Sequence, residues 1–449
     1  MQSTICAKAS GQGGAVALVR LSGPDALVLT HTLTAKTLIL EPRRQTFCSL
    51  YDGKSVLDKA LVTYFRAPHS FTGEDVVEFA LHASPYIVGR LLELLCRAGA
   101  VPAKRGEFSQ RAFLNGKMDL VEAQGLCDLI ASGNKAAHRV AMASLDGKLS
   151  EKLGEVKTKL TDLLAQIEVR LDDADEEMPP LCSDSIRQTI EDVLTSIKTL
   201  TDTFSVGRLM KDGLKVALVG APNSGKSSLL NALVGFDRAI VTDQSGTTRD
   251  TVEEAIEING HKIVLTDTAG IRSHALDLAE QEGIRRSRRA MEKADVILFV
   301  LDASREIITE EQALWTDIQK QQKRTILVLN KCDKAPAPVP ALENTATYTR
   351  VVVSCKKGEG MDELKKVLTA PLQAVATDGL LISHLRHYEE LLRAQTELEG
   401  ALLQIDQKAG GEIYAEHIRG ALAHLKDLLG EVTPDDVLDV IFSKFCVGK

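Results

Sequence analysis

The chain has 449 residues, a length that predicts two to four domains at roughly 100 to 200 residues per domain. Hydrophobic residues make up 44% and charged residues 26% of the sequence, which excludes a disordered, fibrous or collagen-like chain. The 54 Lys and Arg residues against 62 Asp and Glu residues give a formal net charge of −8. A protein that binds nucleic acid with its whole surface is basic, so any contact with RNA must be local.

The sequence shows neither a candidate membrane span nor a targeting peptide. Its longest apolar runs, such as Val296–Leu301, are far shorter than the ~20 residues that cross a bilayer, and the polar start Met1–Thr4 lacks the features of a secretory signal. We therefore expect a cytoplasmic protein. Its 8 cysteines form no C-x-x-C pair, which disfavours a zinc site and a disulfide framework, and we expect most of them to be buried.

The first segment, residues 1–117, mixes strand and helix patterns. Short apolar runs at 15–19, 60–65 and 76–79 predict strands, and the stretch 86–98 predicts a helix. These elements indicate a compact α+β domain.

Helical patterns lie on both sides of a central segment. Apolar residues from Leu145 to Ile167 recur three or four positions apart, which predicts one long helix that needs a partner. The acidic run 172–177 is read as the solvated end of that helix. Further helices are predicted at 184–204, 380–405 and 412–449.

Strands alternate with helices from Lys215 to about Leu372, as in a parallel α/β sheet. We therefore predict a multidomain α/β protein with an α+β domain at 1–117, a helical domain at 118–210 and 378–449, and an α/β domain inserted at 211–377.

The stretch Gly220–Ser227 fits the phosphate-loop pattern G-x-x-x-x-G-K-S, between a predicted strand and a predicted helix. In such a loop, backbone N–H groups surround the β-phosphate, Lys226 brings positive charge to the β and γ oxygens, and the Ser227 hydroxyl can bind Mg²⁺. The motif predicts a nucleoside triphosphate site.

Three later motifs end successive predicted strands. Asp267–Gly270 can hold Mg²⁺ through water and sense the γ-phosphate. Asn330-Lys331-Cys332-Asp333 places a carboxylate that can accept two N–H bonds from guanine, and Ser354–Lys356 completes the base pocket. The predicted nucleotide is therefore GTP, and the inserted domain is predicted to be a Ras-like G domain. Thr248 lies between the phosphate loop and Asp267, and its hydroxyl is the candidate ligand that closes over Mg²⁺ and the γ-phosphate.

Ile271 follows Gly270, where Ras-like proteins have the glutamine that orients the attacking water. Two substitutes are visible in the sequence. The amide oxygen of Asn223 can bind a monovalent cation such as K⁺, and the acidic residues Glu280 and Glu282 follow in the next segment.

Two further blocks, Gly106–Leu120 and the terminal Ile441–Lys449, resemble signatures of the tRNA modification GTPases of the MnmE (TrmE) family, among the TrmE-Era-EngA-like phosphate-loop GTPases. The resemblance covers essentially the whole chain. It implies an N-terminal domain that dimerises and binds tetrahydrofolate, a discontinuous helical domain, and a G domain whose K⁺-dependent pairing activates hydrolysis.

The resemblance also implies partners and cofactors. The chain would form a homodimer and a heterotetramer with the flavoprotein MnmG (GidA), and tRNA would bind through that complex. The substrate would be GTP, and the cofactors would be Mg²⁺, K⁺ and a 5,10-methylene- or 5-formyltetrahydrofolate. The implied reaction adds a carboxymethylaminomethyl or aminomethyl group at C5 of the wobble uridine, U34, with methylenetetrahydrofolate as the one-carbon donor.

Carried over position by position, the family's roles give a set of candidate residues. The catalytic candidates are Glu280 and Lys226. The candidate ligands of Mg²⁺ are Ser227 and Thr248, and those of K⁺ are Asn223, Thr242, Gln244 and Thr247. The candidate folate contacts are Arg20, Glu78, Lys117 and Lys449, with a possible role for Cys446. The candidate GTP contacts are Asn223, Ser224, Gly225, Lys226, Ser227, Ser228, Thr242, Asp243, Gln244, Ser245, Gly246, Thr247, Thr248, Asp267, Thr268, Ala269, Gly270, Asn330, Lys331, Asp333, Ser354, Cys355 and Lys356.

Two alternatives stay open at the level of sequence. One is a GTP-dependent ribosome assembly factor that performs no modification chemistry. The other is a conformational switch that has lost folate binding, since the Gly-rich turn at 9–14 and the segment 82–84 depart from the family's pattern.

Overall fold

The computed structural model describes residues 3–11, 13–35, 38–171, 183–236, 253–267, 288–334, 348–373 and 380–448. They divide into two compact units. One unit consists of 1–127, 144–194 and 393–449, and the other of 128–143 and 195–392. Within the described ranges, no helix has the length and apolar character needed to cross a membrane.

The first unit contains a six-stranded sheet in the order β3-β4-β5-β2-β1-β6. Neighbouring strands are antiparallel except β1 and β6, which are parallel. In β4, the buried residues Ala60, Val62 and Tyr64 alternate with more exposed ones, as expected for a sheet with one face on a core. The strands are Ile5–Lys8 (β1), Val16–Ser22 (β2), Gln45–Asp52 (β3), Ser55–Phe65 (β4), Val76–His82 (β5) and Val101–Pro102 (β6).

Three helices accompany this sheet: Ala26–Leu33 (α1), Pro85–Ala98 (α2) and Glu107–Leu114 (α3). Helix α2 begins with a proline in its first turn, a favoured position, and buries Val88, Leu91 and Leu95 along one stripe. The predicted strands of the α+β segment correspond to β2, β4 and β5, and the predicted helix to α2, so these expectations are confirmed.

The predicted long helix is shorter than expected at its start. Leu145 ends a separate helix, Lys135–Leu145 (α5), and the long helix is Lys148–Leu171 (α6). The Leu stripe alone did not show this break, because a turn at Asp146-Gly147 lies between residues that keep helical spacing.

The partner of α6 is the helix Gly411–Leu429 (α13). Apolar side chains of α6 from Leu149 to Ile167 are buried, as are Ala415, Ile418 and Leu425 of α13. An ion pair between Arg419 and Glu168 spans 2.9 Å at the margin of this contact. The remaining helices outside the G segment are Leu120–Ala131 (α4), Ser183–Thr201 (α7), Phe204–Asp212 (α8), Leu385–Asp406 (α12) and Asp435–Phe442 (α14).

The second unit contains another six-stranded sheet in the order β12-β11-β10-β7-β9-β8. The strands are Leu214–Val219 (β7), Glu253–Ile258 (β8), His261–Asp267 (β9), Val296–Asp302 (β10), Arg324–Asn330 (β11) and Tyr348–Val352 (β12). Its helices are Lys226–Phe236 (α9), Thr309–Lys320 (α10) and Met361–Gln373 (α11), with a further helical stretch at 288–293.

The prediction of a parallel sheet is correct for five strands and wrong for the edge strand β8, which is antiparallel to β9. The turn between them is Asn259-Gly260, and both residues have positive φ, 53° and 81°. An Asn-Gly pair in this conformation forms a tight hairpin, and a hairpin makes its two strands antiparallel.

Three other expectations meet different outcomes. The helical prediction for 412–449 is interrupted at Gly430 and ends at Phe442. The acidic run 172–177 lies outside the described residues. Among the described cysteines, only Cys6 is buried and Cys446 is exposed, while the others are intermediate, so the expectation that most are buried is wrong.

The contact between α6 and α13 generates a stability prediction. Leu160 is fully buried in α6, and we expect Leu160→Ala to reduce the free energy of unfolding by about 2–5 kcal/mol, because it leaves a cavity among packed side chains. The measurement is urea unfolding followed by circular dichroism. Leu403→Ala is the matched control, since Leu403 is 59% exposed. Equal effects of the two substitutions would contradict the assigned contact.

Candidate functional site

The phosphate loop joins the carboxyl end of β7 to the first turn of α9. The Lys226 ammonium is buried and donates to the carbonyl oxygens of Gly220 at 2.8 Å and Ala221 at 2.9 Å. Gly225 has a φ of 100°, and a Cβ atom added there would overlap the side-chain amide of Asn330. The sequence therefore needs glycine at this point, where the loop turns into the helix.

The loop has the chemistry of a phosphate site. The Ser224 hydroxyl is buried and has no hydrogen-bond partner among the described residues. Helix α9 begins at Lys226, directly after the loop, and a helix N-terminus favours an anion. Ser227 and Ser228 are exposed in the first turn of this helix. A lysine, a buried hydroxyl and a helix N-terminus fit a bound triphosphate with Mg²⁺.

Asn330 connects the phosphate loop to the two base-recognition loops. Its Nδ2 donates to the Ser224 carbonyl at 3.2 Å, and its Oδ1 accepts from the backbone N–H groups of Lys331 at 2.8 Å and Cys355 at 3.3 Å. The parallel pairing of β10, β11 and β12 brings the ends of these strands together. Three predicted GTP motifs thus meet at one side chain.

Asp333 is the predicted acceptor for the guanine base. The Ser354 hydroxyl donates to its carboxylate at 2.7 Å and holds the pKa of Asp333 below its usual range. The carboxylate is therefore ionised at neutral pH and able to accept two N–H bonds, as recognition of guanine requires.

Lys331 has a partner that the sequence analysis missed. Its ammonium donates to the Asn223 carbonyl at 2.7 Å and to Asp302 Oδ2 at 2.6 Å. Burial acts to raise the pKa of Asp302, but hydrogen bonds from Lys331 and Ser304 outweigh it and lower the pKa to about 2. The sequence signal was a carboxylate directly after the buried run of β10, next to the strand that ends in Asn330.

A groove of about 670 Å³ runs along α9 beside the loop that follows β12. This volume is in the range of small-ligand sites. Burial raises the pKa of the Cys355 thiol in the groove to about 11. The thiol is therefore neutral at physiological pH and lines the groove without acting as a nucleophile. The groove is lined by Ser228, Asn231, Ala232, Gly235, Cys355 and Lys356, of which Ser228, Cys355 and Lys356 are predicted GTP contacts.

The remaining predicted nucleotide and cation residues lie partly inside and partly outside the described residues. Asp267 ends β9, whose parallel register with β7 pairs it with Leu218 just before the phosphate loop. Thr242–Thr248, Thr268–Gly270 and Glu280 lie outside the described residues. Of the predicted K⁺ ligands, only Asn223 is described; it is exposed and has a left-handed φ of 61°.

The first unit brings Arg20 and Glu78 together. They are paired in the register of β2 and β5, and their side chains form an ion pair at 2.8 Å. The Arg20 guanidinium also lies over the rings of Phe71 and Phe108, at 5.3 and 5.6 Å from their centroids. Both charged side chains remain about one-fifth exposed, at 17% and 21%.

Lys117, the third predicted folate contact, lies against the loop between Phe71 and Glu74. The Lys117 side chain covers Gly73, which has a φ of 78°. The buried Arg111 fixes this loop, because its guanidinium donates to Glu74 at 3.1 Å and to the Ser3 carbonyl at 2.8 Å. This cationic and carboxylate set fits a ligand with hydrogen-bond donors at one end and carboxylates at the other, as a folate has.

The chain's terminal segment returns to the first sheet. The Gly106 amide donates to the Cys446 carbonyl at 3.3 Å, and Arg105 pairs with Val447 in a β-bridge. Gly448 has a φ of 93° and packs directly on the backbone of Lys8. Cys446 is exposed, and Lys449 lies outside the described residues.

The chain matches known proteins over essentially its whole length. The family model of the GTP-binding protein TrmE N-terminus matches residues 4–117, and that of the MnmE helical domain matches residues 120–446. The tRNA modification GTPase MnmE of Acinetobacter baylyi is 42% identical over 452 residues, which span 100% of this chain and 97% of that protein. This chain belongs to the MnmE family of tRNA modification GTPases. The MnmE proteins of Aquifex aeolicus and Bacteroides thetaiotaomicron are 40% and 38% identical, and each match spans 100% of both chains.

Membership of the MnmE family confirms the resemblance read from the Gly106–Leu120 and Ile441–Lys449 blocks. The protein is therefore a GTPase of tRNA modification, with the N-terminal, helical and G segments of an MnmE-type fold. GTP and Mg²⁺ are the ligands that this class of enzyme requires. The domain limits and the individual site residues stay predictions.

The close approach of Gly225 to Asn330 generates a prediction for GTP binding. We expect Gly225→Ala to weaken GTP binding about 10- to 100-fold, because the added methyl group displaces the Asn330 amide and the left-handed backbone becomes strained. Equilibrium binding of a fluorescent GTP analogue measures this loss. Gly154→Ala in α6 is the control, since nothing lies within 4 Å of its added Cβ. Unchanged affinity in Gly225→Ala would contradict the assigned geometry.

Proposed function

We propose that the protein acts with the flavoprotein MnmG to add a carboxymethylaminomethyl or aminomethyl group at C5 of the wobble uridine, U34, of certain tRNAs. A methylenetetrahydrofolate supplies the one-carbon unit, and GTP hydrolysis by this chain controls the reaction cycle. The observation that carries the proposal is the 42% identity to a tRNA modification GTPase across 100% of this chain. Because the likeness extends beyond the G domain, it favours modification over ribosome assembly.

For hydrolysis we propose Lys226 and Glu280 as the catalytic residues. The Lys226 ammonium lies within the phosphate loop, where it donates to the carbonyl oxygens of Gly220 and Ala221, and it brings positive charge to the site of the β and γ oxygens. Glu280 takes the place of the Ras-type glutamine, since Ile271 has no group that can orient water. Bound Mg²⁺ neutralises charge on the β and γ oxygens, and the hydroxyls of Ser227 and Thr248 are its proposed protein ligands.

We also propose a K⁺ site next to the phosphate loop, formed by Asn223 with Thr242, Gln244 and Thr247. A K⁺ ion there supplies the positive charge that an arginine finger brings in other GTPases. The left-handed Asn223 is held through its carbonyl by Lys331, at 2.7 Å, which leaves its side-chain amide to act as a ligand. Pairing of two G domains completes this site in the proposed cycle.

The proposed folate site consists of Arg20, Glu78, Lys117 and Lys449. Glu78 accepts hydrogen bonds from the pterin, and the basic side chains face the carboxylates of the folate tail. Gly448, which precedes Lys449 in the sequence, packs on the backbone of Lys8 in the first sheet. Cys446 adds an exposed thiol to the same terminal segment. In the proposed assembly, two copies of this chain pair and bind MnmG in a heterotetramer.

Reconstitution tests this function. The purified protein, MnmG, undermodified tRNA, GTP, methylenetetrahydrofolate and glycine or ammonium are combined, and U34 is analysed by mass spectrometry. We expect the modified base only in the complete mixture, and its loss when folate is omitted or Arg20→Met is used. Arg44→Met is the control, because Arg44 is an exposed arginine paired with Glu41. Absence of modified U34, with GTP-dependent sedimentation of the protein on ribosomal particles, would favour the assembly-factor alternative.

The proposed cation site generates a separate prediction. We expect Asn223→Gly to hydrolyse GTP at the same rate in K⁺ and in Na⁺, because glycine keeps the left-handed φ of 61° but removes the ligand amide. Steady-state hydrolysis at matched ionic strength measures the ratio. Gln322→Gly is the matched control, since Gln322 is also left-handed, with a φ of 50°, and should retain the K⁺ stimulation. Full K⁺ stimulation in Asn223→Gly would show that this assignment is wrong.

A further inference from the structure

Asp302 occupies a distinctive place at the carboxyl edge of the second sheet. It ends β10, and the parallel register with β11 pairs it with Asn330, the residue that ties the phosphate loop to the base loops. The backbone N–H of Ala303 donates to the Asn330 carbonyl at 2.8 Å. The backbone that carries the Asp302 carboxylate is therefore fixed against β11, the strand that ends in Asn330.

The contacts of Asp302 form a continuous path to the phosphate loop. Its Oδ1 accepts from the Ser304 backbone N–H at 3.0 Å and from the Ser304 hydroxyl at 2.6 Å, while its Oδ2 accepts from Lys331 Nζ at 2.6 Å. Lys331 Nζ in turn donates to the Asn223 carbonyl at 2.7 Å. Each oxygen of the carboxylate thus has a defined partner.

We propose that Asp302 is a positioning residue for nucleotide binding, which orients the Lys331 ammonium so that it holds the phosphate loop at Asn223. The proposal concerns nucleotide binding and does not depend on the proposed folate and tRNA chemistry. Asp302 acts through Lys331, not by direct contact with the nucleotide.

Burial and side-chain chemistry explain why a carboxylate is needed. The side chains of Asp302 and Lys331 are 9% and 26% exposed, so their ion pair is shielded from water more than a surface pair is. A lysine side chain has a flexible stem and a rotating ammonium, and it needs a second partner to point in one direction. Lys331 also has a left-handed φ of 67°, which fixes where its stem begins.

The path from Asp302 is separate from the other connection between the same loops. Asn330 Nδ2 holds the Ser224 carbonyl, and Lys331 Nζ holds the neighbouring Asn223 carbonyl. Loss of Asp302 releases the second connection and leaves the first in place. We expect the G domain to stay folded while the phosphate loop is held less firmly at Asn223. The measurable consequence is faster release of the nucleotide.

The test compares GDP dissociation from the full-length protein and from Asp302→Asn, with a fluorescent GDP as the probe. We expect dissociation about tenfold faster, since hydrogen bonds to charged groups are worth more than neutral ones. The KM for GTP should rise by a similar factor and kcat should change less than about twofold. Asp317→Asn is the matched control, because Asp317 also accepts from a lysine, Lys320, at 3.1 Å, but on α10. Dissociation from Asp302→Asn at the control rate would overturn the proposal.

A double-mutant cycle separates positioning from general destabilisation. In a Lys331→Met background, Asp302→Asn should add little to the dissociation rate, because both changes interrupt one path. Full additivity of the two effects would overturn the proposal. Ser304→Ala gives a measurement that does not depend on folding of the Asp302 variant: it keeps the carboxylate but removes one contact that orients it. We expect dissociation about threefold faster, and a rate equal to that of the unaltered protein would overturn the proposal.

Discussion

The side-chain amide of Asn330 is the contact on which the nucleotide site depends. One group donates to the phosphate loop at Ser224 and accepts from the backbone of Lys331 and Cys355, so three loops from different parts of the chain share one anchor. This is possible because β7, β10, β11 and β12 are parallel and end at the same edge of the sheet. Gly225 is required for the same reason, since any larger residue would occupy the space of that amide.

Charged side chains make further contacts at the carboxyl edge of the second sheet. The Lys331 ammonium donates to both the Asn223 carbonyl and Asp302, and the Ser354 hydroxyl donates to the Asp333 carboxylate and lowers its pKa. In the first unit, the buried Arg111 plays a comparable part by fixing the loop between Phe71 and Glu74. In both places a buried or half-buried charge is paired, and the pairing positions a residue of the candidate site.

Some parts of the protein could be predicted from local sequence because their physics is local. The phosphate loop, the strands β7 and β11, the helix α2 and the terminal signature all follow from short patterns of glycine, apolar residues and charge. The break between α5 and α6 and the antiparallel edge strand β8 were not predicted. The first is hidden because a two-residue turn preserves the Leu spacing, and the second depends on a hairpin at Asn259-Gly260.

Motifs of a few consecutive residues were sufficient to identify the nucleotide class, the family and the residue types at the phosphate and base loops. The tertiary structure decided which residues meet. Asp302 and Lys331 are separated along the chain, and only the register of β10 and β11 makes them partners. Arg20 and Glu78 become an ion pair through the pairing of β2 and β5. Hydrogen bonds between strands fix such distances, and no local pattern of residues contains them.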